Sequence, residues 1–221
     1  MCRFLIVRSV ALFDPRILLA EFAEMARLSR SPDGDRQADG WGAAWRDPTG
    51  EWKTLKSLRP IWEDKPALAD IPATRMFAAH ARSASFPDQK EILEYNQPFV
   101  VGSRAFVFNG MIKRVSFPRP LEGRIGAQKI WSLLKPDPRG GPIEEALGIA
   151  VREIGSHSRE IPALNIGLVE DDRIAVYCHG ADGLPYYRLR IAEQDGTAAI
   201  CSEPLPSLPF RLLPAGSVVA L

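Results

Sequence analysis

Cys2 follows only Met1 in a chain of 221 residues. Removal of that methionine places a thiol and a free α-amine on one residue, a nucleophile carrying its own base. An α-amino group titrates at roughly 7.7–8.0 and a free thiol near ~8.5. The amine can therefore take the thiol proton near neutrality, directly or through one water, and the thiolate is the competent nucleophile. Cysteine is small enough for ordinary methionine removal, so processing is expected; the alternative is a cysteine beside the start with no chemical role. Further short segments follow in a fixed order: Asp39-Gly40-Trp41-Gly42, His80-Ala81-Arg82-Ser83-Ala84-Ser85, Asn96-Gln97-Pro98-Phe99, Phe108-Asn109-Gly110 and Cys201-Ser202-Glu203-Pro204-Leu205. Taken separately, Asn109-Gly110 reads as a tight hairpin turn, and Arg82 fits a surface ion pair as well as a ligand site. His80 reads as structural, because a nucleophile with its own amine needs no triad. Cys178 and Cys201 read as buried small hydrophobes.

Rigid elements must position such residues. Arg3–Arg8 is a β-branched and aromatic run that predicts a buried strand, with Cys2 at its start. Pro15 marks a helix start, and Ile17, Leu18, Phe22, Met25 and Leu28 fall at helical spacing. Ser29–Gly40 is a polar loop with two Asp-Gly turn signals, and by composition it is a candidate lid. Trp41–Trp45 and Trp52–Leu58 predict strands joined by a turn at Asp47–Gly50. Arg75–Ala81, Phe99–Gly102 and Ala105–Phe108 predict strands, and Ala127–Leu134 and Ile143–Ile154 predict helices. Ala163–Val169, Arg173–Cys178, Tyr186–Ile191, Ala198–Cys201 and Ser217–Leu221 predict further strands, punctuated by Asp171-Asp172 and Asp182-Gly183. Pro118–Pro120 and Pro136–Pro142 are surface connections too short to separate two folds, so residues 1–221 are expected to form a single domain. Strands and helices come in blocks, which points to an α+β fold with antiparallel sheets.

Hydrophobic residues make up 46% of the chain and charged residues 25%, the balance of a globular protein. A net charge of +1 argues against nucleic acid or a membrane surface as the main partner. Three cysteines, with no CxxC pair and no histidine cluster, favour reduced thiols in the cytoplasm over a disulfide framework or a metal site. The apolar run at the start is too short for an export signal. No segment approaches the ~18 apolar residues of a membrane span.

The ordered segments together resemble the class II glutamine amidotransferases, the cysteine branch of the N-terminal nucleophile hydrolases. The likeness runs from Cys2 to about Leu213. The Met-Cys-Arg start and the Ser202-Glu203-Pro204-Leu205 run look most like the small stand-alone bacterial members, including the amidohydrolase of ergothioneine biosynthesis. The resemblance implies a four-layer αββα sandwich with two antiparallel sheets between helix layers, and it implies no cofactor. It assigns Cys2 as the catalytic nucleophile attacking a side-chain amide, with its α-amine carrying the proton to the leaving ammonia. Asn109 and Gly110 match the oxyanion hole, a side-chain NH₂ and a backbone N–H aimed at the developing charge. Arg82 matches the arginine that grips the substrate α-carboxylate, with Ser83 contributing its backbone and Ser85 its hydroxyl to the same pocket. Asp39-Gly40-Trp41-Gly42 is expected to pack close to the nucleophile, with Trp41 in the core and the glycines allowing close approach.

The chain departs from the family pattern where an aspartate normally binds the glutamine α-ammonium. Gly126 falls at that place and Gln128 at the glutamate two residues on; Glu122, Asp39 or Glu203 is a possible substitute. Phe86 replaces a polar residue of the larger synthase-linked members, and Gln97 stands where a histidine is common. The expected activity is amide hydrolysis of glutamine or a γ-glutamyl compound through a Cys2 thioester. Two alternatives stand beside it: a γ-glutamyl hydrolase for an amine-blocked metabolite, and a catalytically silent amidotransferase-like subunit. The expected partner is a small-molecule substrate. Ammonia used in synthesis would require a separate acceptor subunit.

Overall fold

The computed structural model describes residues 1–136, 141–180 and 185–221. The first strand, β1 (Arg3–Phe13), holds Phe4–Val7 fully buried and runs straight out of Cys2. It is the middle of a seven-stranded sheet with β2 (Trp41–Arg46), β3 (Trp52–Ser57), β4 (Thr74–Ala81), β9 (Arg190–Gln194), β10 (Thr197–Cys201) and β11 (Arg211–Leu212), in the order β11-β9-β10-β1-β4-β2-β3. A second sheet has β5 (Phe99–Val101), β6 (Arg104–Val115), β7 (Ser158–Glu170), β8 (Arg173–Gly180) and β12 (Val218–Ala220), in the order β12-β8-β7-β6-β5. Neighbouring strands are antiparallel throughout both sheets.

Side-chain alternation builds three apolar layers. Leu5, Val7 and Phe77 face outward and pack on Leu19 and Phe22 of helix α1 (Arg16–Leu28), beside the short α2 (Lys65–Ala69). Phe4, Ile6, Met76, Val107 and Val176 interlock between the sheets. Phe106, Ile166 and Leu168 face outward on the second sheet and pack on Trp131 of α3 (Gly126–Leu134) and Leu147 of α4 (Ile143–Ser156). The result is an αββα sandwich. Each fully buried large apolar side chain contributes ~1.5–3 kcal/mol, which is how two outer helix layers hold a double sheet together.

Three sequence expectations change. Of the apolar positions read from the sequence of α1, Leu18 and Phe22 are buried and Met25 packs partly against the core, while Ile17 and Leu28 are exposed and Leu19, Ala23 and Ala26 complete the buried stripe. Asn109-Gly110 is not a turn. It continues β6, with Asn109 opposite Asn165 and Gly110 opposite Leu164. The long partner β7 overrides the local turn preference, and a Cβ at Gly110 would lie 2.4 Å from the Ala163 carbonyl oxygen, so glycine is there for close approach. The predicted strand Tyr186–Ile191 begins only at Arg190, because Pro185–Tyr187 forms a single 3₁₀ turn that places the Tyr186 ring 3.8 Å from the Arg3 guanidinium. The Asp182-Gly183 turn and residues 137–140 of the Pro136–Pro142 connection lie outside the described residues.

Candidate active site

The alternation that buries Phe4 and Ile6 between the sheets sends Cys2 toward the same side, at the open end of the sandwich. Cys2 Sγ lies 3.4 Å from the Ser83 N–H, which donates to it, and 3.4 Å from the Ser83 carbonyl oxygen. Burial pushes the Cys2 thiol above its ordinary value, while the Ser83 N–H, the amino terminus, Arg82 and Arg3 pull the other way. The thiol is half-buried, whereas Cys178 and Cys201 are fully buried and free of disulfide bonds. Met1 is in place here, and its ammonium pairs with Asp35. Asp35 also accepts from the Ser83 hydroxyl at 2.6 Å, and the fully buried Gln37 donates to the Met1 carbonyl at 3.0 Å. The second half of the Ser29–Gly40 loop is thus pinned across the amino terminus.

Cys2, Arg82, Ser83, Ser85, Gly110 and Gly126 line one cavity of about 810 Å³. Asn109 is not on its wall. It is 1% exposed, its parity on β6 turns it between the sheets, and its Oδ1 finds no partner. Arg82 is buried at the end of β4. Its guanidinium donates to the Lys90 carbonyl and to Asn96 Oδ1, each at 3.3 Å, and to the Gln89 carbonyl. It therefore holds the 89–96 segment against the cavity it lines.

Gln97, noted in sequence only as a replacement, proves to be a clamp on β6. Its Oε1 accepts from the Phe108 N–H at 2.6 Å, and its Nε2 donates to the Phe108 carbonyl at 3.2 Å. It fixes both backbone groups of the residue before Asn109-Gly110. His80 lies against the same carbonyl, with Nε2 at 3.3 Å, and burial lowers its pKa to about 3, so it is a neutral structural group. Gly40 and Gly42 allow close approach, but of Asn96 and Gln97 rather than of the nucleophile: added Cβ atoms would sit 2.5 Å from Asn96 Nδ2 and 2.5 Å from the Gln97 carbonyl oxygen. Trp41 is fully buried and donates to Asp64 at 3.1 Å.

Behind Cys2, Arg3 is fully buried and pairs with Glu203 at 3.1 Å while donating to the Cys2 carbonyl at 2.9 Å. Ser202 exchanges hydrogen bonds with the Phe4 backbone, each 3.0 Å. The Cys201-Ser202-Glu203 segment therefore anchors the strand that presents Cys2. Asp35, Gln37 and the anchoring role of Arg3 were missed in sequence; Asp35 and Gln37 carry no signal beyond lying in a polar loop.

The charges around the cavity are of one sign. Arg82, Lys113, Arg119, Arg124 and Lys129 line it and no carboxylate does among the described residues, though Lys113 pairs with Glu160 and Arg119 with Glu153 outside it, each at 2.8 Å. Of the possible ammonium partners, Glu122 pairs with Lys135 at 2.5 Å, Asp39 with Lys90 at 3.2 Å and Glu203 with Arg3. Gly126 opens α3, and a Cβ there would meet nothing within 4 Å. Gln128 turns back to accept from the Arg124 N–H at 2.8 Å, capping the helix. No group of metal-ligating side chains and no helix long and apolar enough to cross a membrane is found among the described residues.

The chain has the fold of the class II glutamine amidotransferases. Glutamine phosphoribosylpyrophosphate amidotransferase from Bacillus subtilis superimposes with a TM-score of 0.68 at 13% identity, covering 100% of this chain and 49% of that one. The chain thus spans about half the length of that enzyme. A glutamine aminotransferase class-II domain protein from Silicibacter pomeroyi gives a TM-score of 0.64 at 14% identity, covering 99% of this chain and 94% of the other. A glutamine amidotransferase identified by prediction in Pseudomonas aeruginosa gives 0.56 at 13% identity, with 99% and 96% covered. No protein-family model matches the chain, and no curated protein matches it in sequence.

Proposed function

We propose that the chain is an N-terminal nucleophile amidohydrolase that cleaves the side-chain amide of glutamine or a γ-glutamyl compound. The observation that carries this reading is Cys2 Sγ held 3.4 Å from the Ser83 N–H on the wall of a cavity that Arg82 and Gly110 also line. After loss of Met1, Sγ attacks the amide carbonyl and its proton passes to the Cys2 α-amine. The tetrahedral oxyanion takes the Gly110 N–H and the Asn109 side-chain NH₂, the latter turning toward the cavity from its place between the sheets. Collapse breaks the C–N bond, the ammonium returns the proton to the leaving nitrogen, and a γ-acyl thioester remains. Water then cleaves the thioester, releasing the carboxylic acid and restoring the thiol. Arg82 holds the substrate carboxylate, with Ser83 and Ser85 alongside. If the ammonia feeds a synthesis, a separate acceptor subunit receives it.

Intact-mass spectrometry and ammonia release from a panel of glutamine and γ-glutamyl amides test this. The expected result is a chain lacking Met1 whose turnover disappears in a folded Cys2→Ala variant. Retained Met1, or turnover that survives Cys2→Ala, overturns it.

A further inference from the structure

The cavity is larger and more apolar than an amino acid requires. Its volume of about 810 Å³ lies toward the upper end of the ~300–1,000 Å³ that drug-sized ligands occupy. From Cys2 and Gly110 it continues along the start of α3, where Phe117, Leu121, Ile125, Ile130, Leu133 and Ile154 form its wall. Gly126 leaves the way between these parts open, since it carries no side chain and a Cβ there would meet nothing. At the mouth, Phe86, Met111 and Val115 are 59%, 39% and 46% exposed, apolar surface left uncovered around a concave site. Lys113 and Arg119 are paired with Glu160 and Glu153, but Arg82, Arg124 and Lys129 pair with no carboxylate among the described residues, and they favour a ligand with net negative charge. A free amino acid brings its own ammonium into that field, and bringing a cation among like charges is costly.

Resting on the amide-cleaving reading above, we infer that the substrate is an N-acylated γ-amide. Its carboxylate meets Arg82, its side-chain amide meets Cys2, and its apolar acyl chain lies past Gly126 along α3. Acylation removes the ligand's only positive charge and supplies the apolar group that the α3 wall accepts. The bond broken is the γ-amide C–N bond, with water as co-reactant through the Cys2 thioester; the acyl chain is retained on the product.

The test compares kcat/KM for ammonia release from L-glutamine and from N-acetyl-, N-butanoyl- and N-octanoyl-L-glutamine. Burial of a methylene is worth ~0.8 kcal/mol, so kcat/KM should rise up to about fourfold per methylene, with N-octanoyl-glutamine preferred over free glutamine by at least about 100-fold. In Gly126→Asp, whose new side chain has room to fold, the N-octanoyl rate should fall at least tenfold while the rate of Cys2 alkylation by iodoacetamide stays unchanged. A flat series, a preference for free glutamine, or an N-octanoyl rate indifferent to Gly126→Asp overturns the inference. Calorimetric binding of the same compounds to Cys2→Ala separates the two readings. Chain-length-dependent affinity without turnover by the wild type upholds this ligand class and sinks the amidohydrolase, whereas turnover of glutamine without chain-length dependence does the reverse.

Discussion

Cys2 differs from the other two thiols in access and in what surrounds it. Cys178 and Cys201 are fully buried, and burial pushes Cys201 up to about 12. Cys2 is half-buried and meets a backbone N–H and two guanidinium groups that partly offset its desolvation. Iodoacetamide should therefore modify one thiol in the folded protein, mapped to Cys2 by peptide mass, and all three after denaturation. Because the Cys2 thiol is raised, the thiolate fraction grows only as pH climbs past the ordinary thiol range, and the alkylation rate should still be increasing above pH ~8.5. Modification of Cys201 in the native state would contradict the burial on which this rests. Of the residues singled out in the sequence, Cys2, Arg82, Ser83, Ser85 and Gly110 line one cavity. Asn109 does not, since its side chain turns between the sheets, and nothing local in the sequence shows that placement.

The elements explain why. Asn-Gly has strong turn chemistry, yet β6 runs through it because β7 pairs with it on both sides of that point. Register with a distant strand is not written in a local window. Gln97 is the second example: its side chain acts as a piece of β-ladder, satisfying both backbone groups of Phe108 at the point where β6 begins to form the cavity wall. Replacing it with Gln97→Leu leaves the buried Phe108 N–H unpaired, while the carbonyl keeps His80, at ~1–3 kcal/mol. Urea titration should show a loss of about 1–3 kcal/mol. Under the proposed reaction, kcat should fall more than KM rises, because the clamp acts on the oxyanion donors rather than on the carboxylate grip. An unchanged kcat in the stably folded variant would separate Gln97 from the chemistry. The α1 face was read only in part for a simpler reason: its apolar residues cover more than one stripe, and only packing on Leu5 and Phe77 selects Leu19 beside Phe22 over Ile17 and Leu28.

For the whole molecule, His80 sets an acid limit. Its folded value is about 3 against an ordinary 6.5. As pH falls through 6.5 the unfolded chain takes up a proton that the folded chain refuses. The stability from this group is complete above pH 6.5 and is lost progressively between 6.5 and 3. At pH 4.5 the loss should be on the order of 2 kcal/mol, and His80→Asn should show a shallower pH dependence in urea melts; parallel curves would assign the acid sensitivity elsewhere. The α+β class with antiparallel sheets was readable from the blocks of strands and helices and the αββα layering from the family resemblance, but strand order was not, because neighbours such as Leu5 and Cys201 pair from opposite ends of the chain. That pairing has a consequence for biosynthesis. β1 is an interior strand whose partner β10 begins only at Thr197, so the strand bearing Cys2 waits with one ladder edge bare while all the residues between them are made. A chain cut short before Thr197 would keep that edge permanently open, turning the strand that carries Cys2 into a template for aggregation.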